Sequence, residues 1–398
     1  MLTGLDRLLA LPDRLAALRR ERVALLAHPA SVTRDVVHVR TALASSDIQP
    51  VIIFGPEHGY GGEAQDMIGV SDARDAFGTP VKSLYGAQYE DLIPTPEDLD
   101  GVDRLVIDLQ DVGARYYTFV WTAVLVLRAA VARGIRVLVL DRPNPLGGDP
   151  QVIEGKNQED AYRSFVGLEP IPIRHGLTLG ELVAWRAHLE GMPHELLDVL
   201  RVKDLDPSSH ASAWDRPFVM PSPNMPSYET ARVYPGGCLL EGTNLSDGRG
   251  TTRPFEITGA PWLDGMALAR DFNAARVAGA LARPVTFVPT FHKHAKHACG
   301  GVQIHVTDTQ TFRPVRAYAL LIALAHRQDP TRFQFRTERY EFVDDIPAFD
   351  LLAGSGRGRE ALLAGSLPED VAGEIAETGA REIATVRDAS EAAERFSS

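Results

Sequence analysis

Val51-Ile52-Ile53-Phe54-Gly55-Pro56-Glu57-His58-Gly59 is an apolar run stopped by glycine and proline, with a carboxyl group and an imidazole immediately beyond the stop. The run reads as a buried strand, and the Gly-Pro pair ends it. Near-continuous strands of this kind, without polar alternation, belong to parallel sheets covered by helices on both faces. In open sheets of that class the crevice beyond the carboxyl ends of the strands receives the ligand. Glu57 and His58 stand at that place. Partial desolvation there raises a glutamate's pKa and suits it to donate a proton at neutral pH. The competing reading is that Glu57 caps the next helix or pairs with an arginine.

The same pattern extends outward. Residues 22–27 read as a strand, 34–44 as a helix, 81–85 as a short strand and 104–109 as a fourth strand. Residues 118–133 form a strongly apolar helix closed by Gly134, and 136–140 a fifth strand. Strands alternating with helices predict an α/β fold with a Rossmann-like, mostly parallel sheet and helices on both faces. From about Gly155 to Pro261 the chain is rich in Gly, Pro, Asn and Arg, with one clear helix at 178–190. So long a stretch of loop chemistry usually serves a site. Helices at 263–275 and 315–327, strands at 285–291 and 301–306, and a helical tail from Arg357 predict a smaller α+β domain. The expected division is a catalytic domain over 1–260 and an auxiliary domain over 261–398 that closes the cleft.

Composition excludes several classes. Of 398 residues, 44% are hydrophobic and 24% charged, as in ordinary globular proteins. The formal charge of −12 argues against nucleic acid or an anionic membrane surface as partner. No apolar run is long enough to span a bilayer, and residues 1–7 lack the pattern of a signal peptide. As written the chain is expected in the cytoplasm; a secreted or periplasmic place follows if a leader was removed. Cys238 and Cys299 make no disulfide framework and leave a single bridge open. The first strand is followed by Ala27-His28-Pro29-Ala30-Ser31 rather than Gly-x-Gly-x-x-Gly, so no NAD, and no other cofactor, is expected. His292, His294, His297 and Cys299 have the spacing of metal ligands, but Lys293 and Lys296 between them oppose a cation, and no metal is expected. Without Gly-x-Ser-x-Gly an α/β-hydrolase is not supported.

Each remaining strand end is polar. Asp108-Leu109-Gln110-Asp111-Val112-Gly113-Ala114-Arg115-Tyr116-Tyr117-Thr118 follows the fourth strand, and Asp141-Arg142-Pro143-Asn144-Pro145 the fifth. Carboxylates, arginines, an amide and aromatic faces converging on one crevice describe a sugar site better than a phosphate site. Against this, Asp108 and Asp141 equally suit helix capping, and Arg115 and Arg142 equally suit neutralising them. His175, Asn224 within Pro221-Ser222-Pro223-Asn224-Met225-Pro226, and Arg249 within Asp247-Gly248-Arg249-Gly250-Thr251 add candidates; an Asx-turn and a tight turn are the structural alternatives for the last two. Residue by residue, this reading stops at a hydrolase or binder of a polar, sugar-like ligand.

Taken in order, the motifs go further. Gly-Pro-Glu-His-Gly at 55–59, Ser-Leu-Tyr-Gly at 83–86, the 108–118 and 140–145 segments, Ser-Phe-Val-Gly at 164–167, and the segments at 221–226 and 247–251 closely resemble the exo-acting β-N-acetylmuramidases. The resemblance runs from Gly4 through at least Gly354. It implies release of terminal N-acetylmuramic acid from the non-reducing end of peptidoglycan fragments, by a Rossmann-like domain and a smaller domain with the site between them. Many of the relatives are exported, whereas this chain shows no leader. The family's suspected catalytic glutamate corresponds to Glu57. Asp108 or Asp111 is expected as nucleophile or base, unless the substrate's own acetamido oxygen attacks. His58, Arg115, Tyr116, Tyr117, Arg142, Asn144, His175, Asn224 and Arg249 are expected to bind substrate, with Arg115, Arg249 or both reading the lactyl carboxylate. The alternatives are a non-catalytic muropeptide-binding protein, and a metal-dependent hydrolase using His58 and the 292–299 cluster.

Overall fold

The computed structural model describes residues 1–65, 67–69 and 71–397. Seven strands build the main sheet: β1 (Val23–Ala27), β2 (Ile52–Gly55), β3 (Ala73–Arg74), β4 (Pro80–Ser83), β5 (Arg104–Asp108), β6 (Arg136–Leu140) and β7 (Leu197–Leu200). Their order is β3-β4-β2-β1-β5-β6-β7, parallel throughout except for the short β3 against β4. The chain runs from β1 outward to β4, then returns beside β1 at β5 and grows the other way. That reversal opens the crevice where ligands bind in sheets of this class.

The two faces of the sheet bury separate cores, as the two-residue period of a strand requires. Ala24 and Leu26 of β1, Leu105 and Ile107 of β5, and Val137 and Val139 of β6 face the larger one. Val23, Leu25, Val106, Leu138 and Leu140 face a smaller one covered by Leu5, Leu8, Leu15 and Leu18 of the N-terminal helices and by Val39 and Leu43. The helix Phe119–Val131 is buried on nearly every side, which explains why its apolar residues show no stripe.

A second sheet is antiparallel and has the order β8-β10-β9, with β8 at Ile257–Ala260, β9 at Ala280–Phe287 and β10 at Cys299–Val306. The helices Gly265–Ala274 and Pro314–Gln328 pack near it. The second of these crosses the helix Tyr228–Gly237 at Gly236, where a Cβ would sit 2.0 Å from Pro314 O; only glycine permits that approach. The last helix, Ala380–Arg395, returns to the first sheet, where Val199 N donates to Phe396 O at 2.8 Å and covers the exposed edge of β7.

Among the elements that escape the sequence reading are β3, β7, β8, the helices Gly4–Leu9, Pro12–Leu18 and Ala348–Ala353, and the helix Tyr228–Gly237, which carries Pro235 inside it and ends in two glycines. Two others shift. The helix expected from Arg34 starts only at Val39, because Val36 adopts φ 62° in a turn and His38 supplies the cap. The strand expected over 285–291 lies five residues earlier and ends at Phe287.

Candidate active site

A narrow pocket with about 500 Å³ of space free of protein atoms lies beyond the carboxyl ends of β2 and β5, with one wall from each sheet's half of the chain. Glu57 enters it two residues after β2. The turn there is tight: a Cβ on Gly55 would lie 2.3 Å from Tyr60 N, and His58 and Gly59 have φ of 69° and 83°. Glu57 is 6% exposed, and its Oε2 accepts from Thr118 Oγ1 at 2.7 Å. Its Oε1 has a longer contact, 3.4 Å, from Met67 N. His58 Nδ1 donates to Ala64 O at 2.9 Å, which fixes the tautomer of the ring.

The loop after β5 supplies Tyr116, Tyr117 and Thr118. Tyr116 donates its hydroxyl to Pro235 O, and its ring meets that of Tyr234 edge-on at 5.8 Å; the Tyr117 ring lies 4.7 Å from Phe119 and 5.7 Å from Tyr234. Burial raises both phenols well above their ordinary pKa, so they remain neutral. Asn224 lines the pocket from the proline-rich loop and donates to Gln65 Oε1 at 2.7 Å.

The opposite wall holds a buried charge cluster. Arg249 lies 2.8 Å from Glu241 Oε1, 3.2 Å from Asp247 Oδ2, and over the Phe255 ring at 4.9 Å. Tyr340 donates to Glu241 Oε2 at 2.7 Å, and Lys293 Nζ sits 3.4 Å from Asp247 Oδ2. Burial is the largest single influence and would raise the pKa of both acids, but Arg249 and Tyr340 together hold Glu241 below its ordinary value, and Arg249, Lys293 and His292 together hold Asp247 well below. Glu341 completes this wall and accepts from Tyr85 at 3.1 Å.

The pocket therefore gathers six of the expected residues: Glu57, His58, Tyr116, Tyr117, Asn224 and Arg249. It does not gather the other six. Asp108 is fully buried in a bidentate pair with Arg142, whose Nε and Nη2 reach its two oxygens at 2.5 and 2.9 Å. Asp111 accepts from Gly113 N at 2.7 Å and faces His175 Nε2 at 3.4 Å. Asn144 closes its own turn, accepting from Leu146 N and donating to Leu177 O. Arg115 spends its fork on the carbonyls of Lys156, Ile171 and Leu352, and burial lowers its pKa to about 10. Thr118 sat unweighted inside the 108–118 segment; Tyr234, Phe255, Tyr340 and Glu341 carried no motif signal.

His294 and His297 donate to the carbonyls of Asn244 and Ala295, and Cys299 lies buried in β10. Among the described residues no cluster of three or more His, Cys, Asp or Glu side chains is arranged to hold a metal ion. Cys238 and Cys299 are both buried and unbridged. Among the same residues no helix is long and apolar enough to cross a membrane.

Known proteins share this architecture. Two DUF1343-family crystal structures from Bacteroides fragilis superpose with TM-scores of 0.84 and 0.72, at 29% and 25% identity. The first alignment covers 98% of this chain and 97% of that one, and the second 98% of each. The peptidoglycan β-N-acetylmuramidase NamZ of Bacillus subtilis (strain 168) is 41% identical over 372 residues, which is 93% of this chain and 86% of that protein. The family described as exo-β-N-acetylmuramidase NamZ matches with its N-terminal domain at residues 23–229 and its C-terminal domain at 232–384. The chain belongs to that exo-β-N-acetylmuramidase family.

Proposed function

We propose that this chain is an exo-acting glycoside hydrolase that releases terminal N-acetylmuramic acid from the non-reducing end of peptidoglycan fragments, with Glu57 as the general acid. The observation that carries this is a carboxyl group buried in a narrow pocket beyond the strand ends, in a chain of this family. Thr118 holds Oε2, which leaves Oε1 as the oxygen to present a proton.

In the reaction Glu57 gives its proton to the bridging oxygen. The bond from that oxygen to the anomeric carbon breaks, and its electron pair leaves with the aglycone. Water then adds its oxygen to the anomeric carbon, and the proton it sheds restores the acid. Exo action is supported by the family to which the chain belongs, and walls from both halves of the chain are consistent with a pocket for a chain end. We place the division between the two lobes between the N-terminal sheet and β8, so that Glu241, Arg249, Tyr340 and Glu341 come from the second lobe and close the pocket. Arg249, rather than Arg115, is assigned to the lactyl carboxylate, because Arg249 lines the pocket and Arg115 is committed to carbonyls.

The test is incubation with N-acetylmuramyl-N-acetylglucosamine followed by mass spectrometry. Free N-acetylmuramic acid is expected, and Glu57→Gln should slow its release by about 100-fold or more. Binding without release of a monosaccharide would make the pocket a recognition site and overturn the reading.

A further inference from the structure

The reaction needs a second group that faces the positive charge developing at the anomeric carbon, and the carboxylates that sequence motifs suggest for it, Asp108 and Asp111, do not reach the pocket. Among the described residues three carboxylates line it: Glu57, Glu241 and Glu341. Glu241 has both oxygens engaged, one by Arg249 and one by Tyr340, and serves as the fixed anion that holds Arg249. We propose that Glu341 is the second catalytic carboxylate of this pocket.

The backbone at Glu341 supports an active role. Tyr340 N donates to Val343 O at 2.9 Å and Val343 N to Tyr340 O at 3.0 Å, so Glu341 and Phe342 are the two central residues of a two-residue hairpin turn. Their φ angles are 46° and 70°. A turn with positive φ at both central positions is normally made by Asn-Gly, and a glutamate followed by phenylalanine is strained there. Such strain persists where surrounding contacts over-determine it, commonly at functional sites. Those contacts are present: the Phe342 ring packs against Tyr85 at 5.7 Å and Phe165 at 6.0 Å, and Tyr85, from the Ser-Leu-Tyr-Gly segment, donates its hydroxyl to Glu341 Oε2 at 3.1 Å. The turn therefore places one carboxylate, 5% exposed, in the lining of the pocket. Tyr85 is a positioning residue that acts through it.

The role is electrostatic and conserves atoms as the hydrolysis above does. As the electron pair of the glycosidic bond moves to the leaving oxygen, the Glu341 anion lowers the energy of the cationic sugar, and it keeps its own oxygens when water has added. This rests on the reading of Glu57 as the acid, and the test separates the two. Glu341→Gln and Glu341→Asn are compared with Glu57→Gln on the natural disaccharide and on a nitrophenyl muramide, whose leaving group departs without a proton. Glu57→Gln should lose about 100-fold or more on the disaccharide and recover on the nitrophenyl substrate. Both Glu341 variants should lose about 100-fold or more on both substrates. Asparagine tolerates positive φ, so Glu341→Asn should melt no lower than the parent while losing turnover. The proposal is overturned if either Glu341 variant stays within about threefold of the parent on both substrates, if the variants recover on the nitrophenyl substrate as an acid variant does, or if Glu341→Asn melts below the parent. A Glu57→Gln variant unimpaired on the disaccharide would instead remove the acid assignment and leave the Glu341 result to be read by its own losses.

Discussion

Replacing Arg249 by methionine removes the cation that Glu241 and Asp247 share while keeping a side chain of similar reach, and it has two separable consequences. The first is on the fold. The guanidinium is 5% exposed and lies 2.8 Å from one carboxylate and 3.2 Å from the other. Removing one partner of a buried ion pair costs about 3–5 kcal/mol, because the charge left behind loses its compensation. Lys293 remains beside Asp247, so the loss falls mainly on Glu241, which keeps the Tyr340 hydroxyl. The second consequence is on specificity. A charge-assisted hydrogen bond to a substrate carboxylate contributes about 1.5–3 kcal/mol, or roughly 10- to 150-fold in kcat/KM. The assay offers N-acetylmuramyl and N-acetylglucosaminyl substrates with the same leaving group in one tube. Both compete for the same folded enzyme, so the ratio of their products does not depend on how much of the variant is folded. The native chain should favour the muramyl substrate, and Arg249→Met should reduce that preference about tenfold or more. A preference unchanged within about twofold refutes the assignment and leaves Arg249 as a stabiliser of the second lobe.

Asp108→Asn should cost about 3–5 kcal/mol in denaturant unfolding, since it strands the buried Arg142, while kcat per folded molecule stays within a few-fold of the parent; a collapse of kcat with unchanged stability would return Asp108 to the chemistry. Asp141 is pushed up to about 7 by burial, with the Glu181 carboxylate adding to the effect, against an ordinary 3.8. The folded chain therefore holds a proton that the unfolded chain releases near pH 4, so this group's contribution to stability falls as pH rises from about 4 to about 7, by up to about 4 kcal/mol in all. Asp141→Asn lacks that titration and should gain on the parent across this window in unfolding experiments; parallel stability–pH curves would disprove it.

The parts of the fold that were legible are those whose chemistry is local. Residues 23–27, 104–108 and 136–140 are apolar without alternation because both sheet faces are buried, and that pattern needs no knowledge of distant residues. Leu197-Asp198-Val199-Leu200 is a strand of only four residues, held between β6 on one side and Phe396 and Ser397 from the other end of the chain on the other. The helix Tyr228–Gly237 survives an internal proline because its last turn packs against Tyr318 and Pro314, and no local signal carries that information. The site divides in the same way. Glu57 was legible because a strand end and a Gly-Pro stop place it, whereas Glu341 sits in a turn whose residues are the wrong ones for that turn.

The six expected residues that do not line the pocket reveal what their segments do. The loops after β1, β5 and β6 have no ladder to satisfy their backbone, and unpaired buried carbonyls would cost as much as lost hydrogen bonds. Side chains do that work. Arg115 donates to three carbonyls from separate segments, Arg142 binds both Asp108 and Val32 O, and Gln110 donates to the carbonyls of Asp111 and Pro143. His28 accepts from Gln110 N and donates to Pro221 O, tying the β1 loop to the proline-rich segment that carries Asn224. Rich polar motifs at strand ends therefore mark two kinds of residue, those that line the pocket and those that hold the loops rigid around it. In the proposed mechanism the acid and the second carboxylate come from segments far apart in sequence, so it requires such rigidity: displacement of either group by about 1 Å is enough to cost about 100-fold in rate.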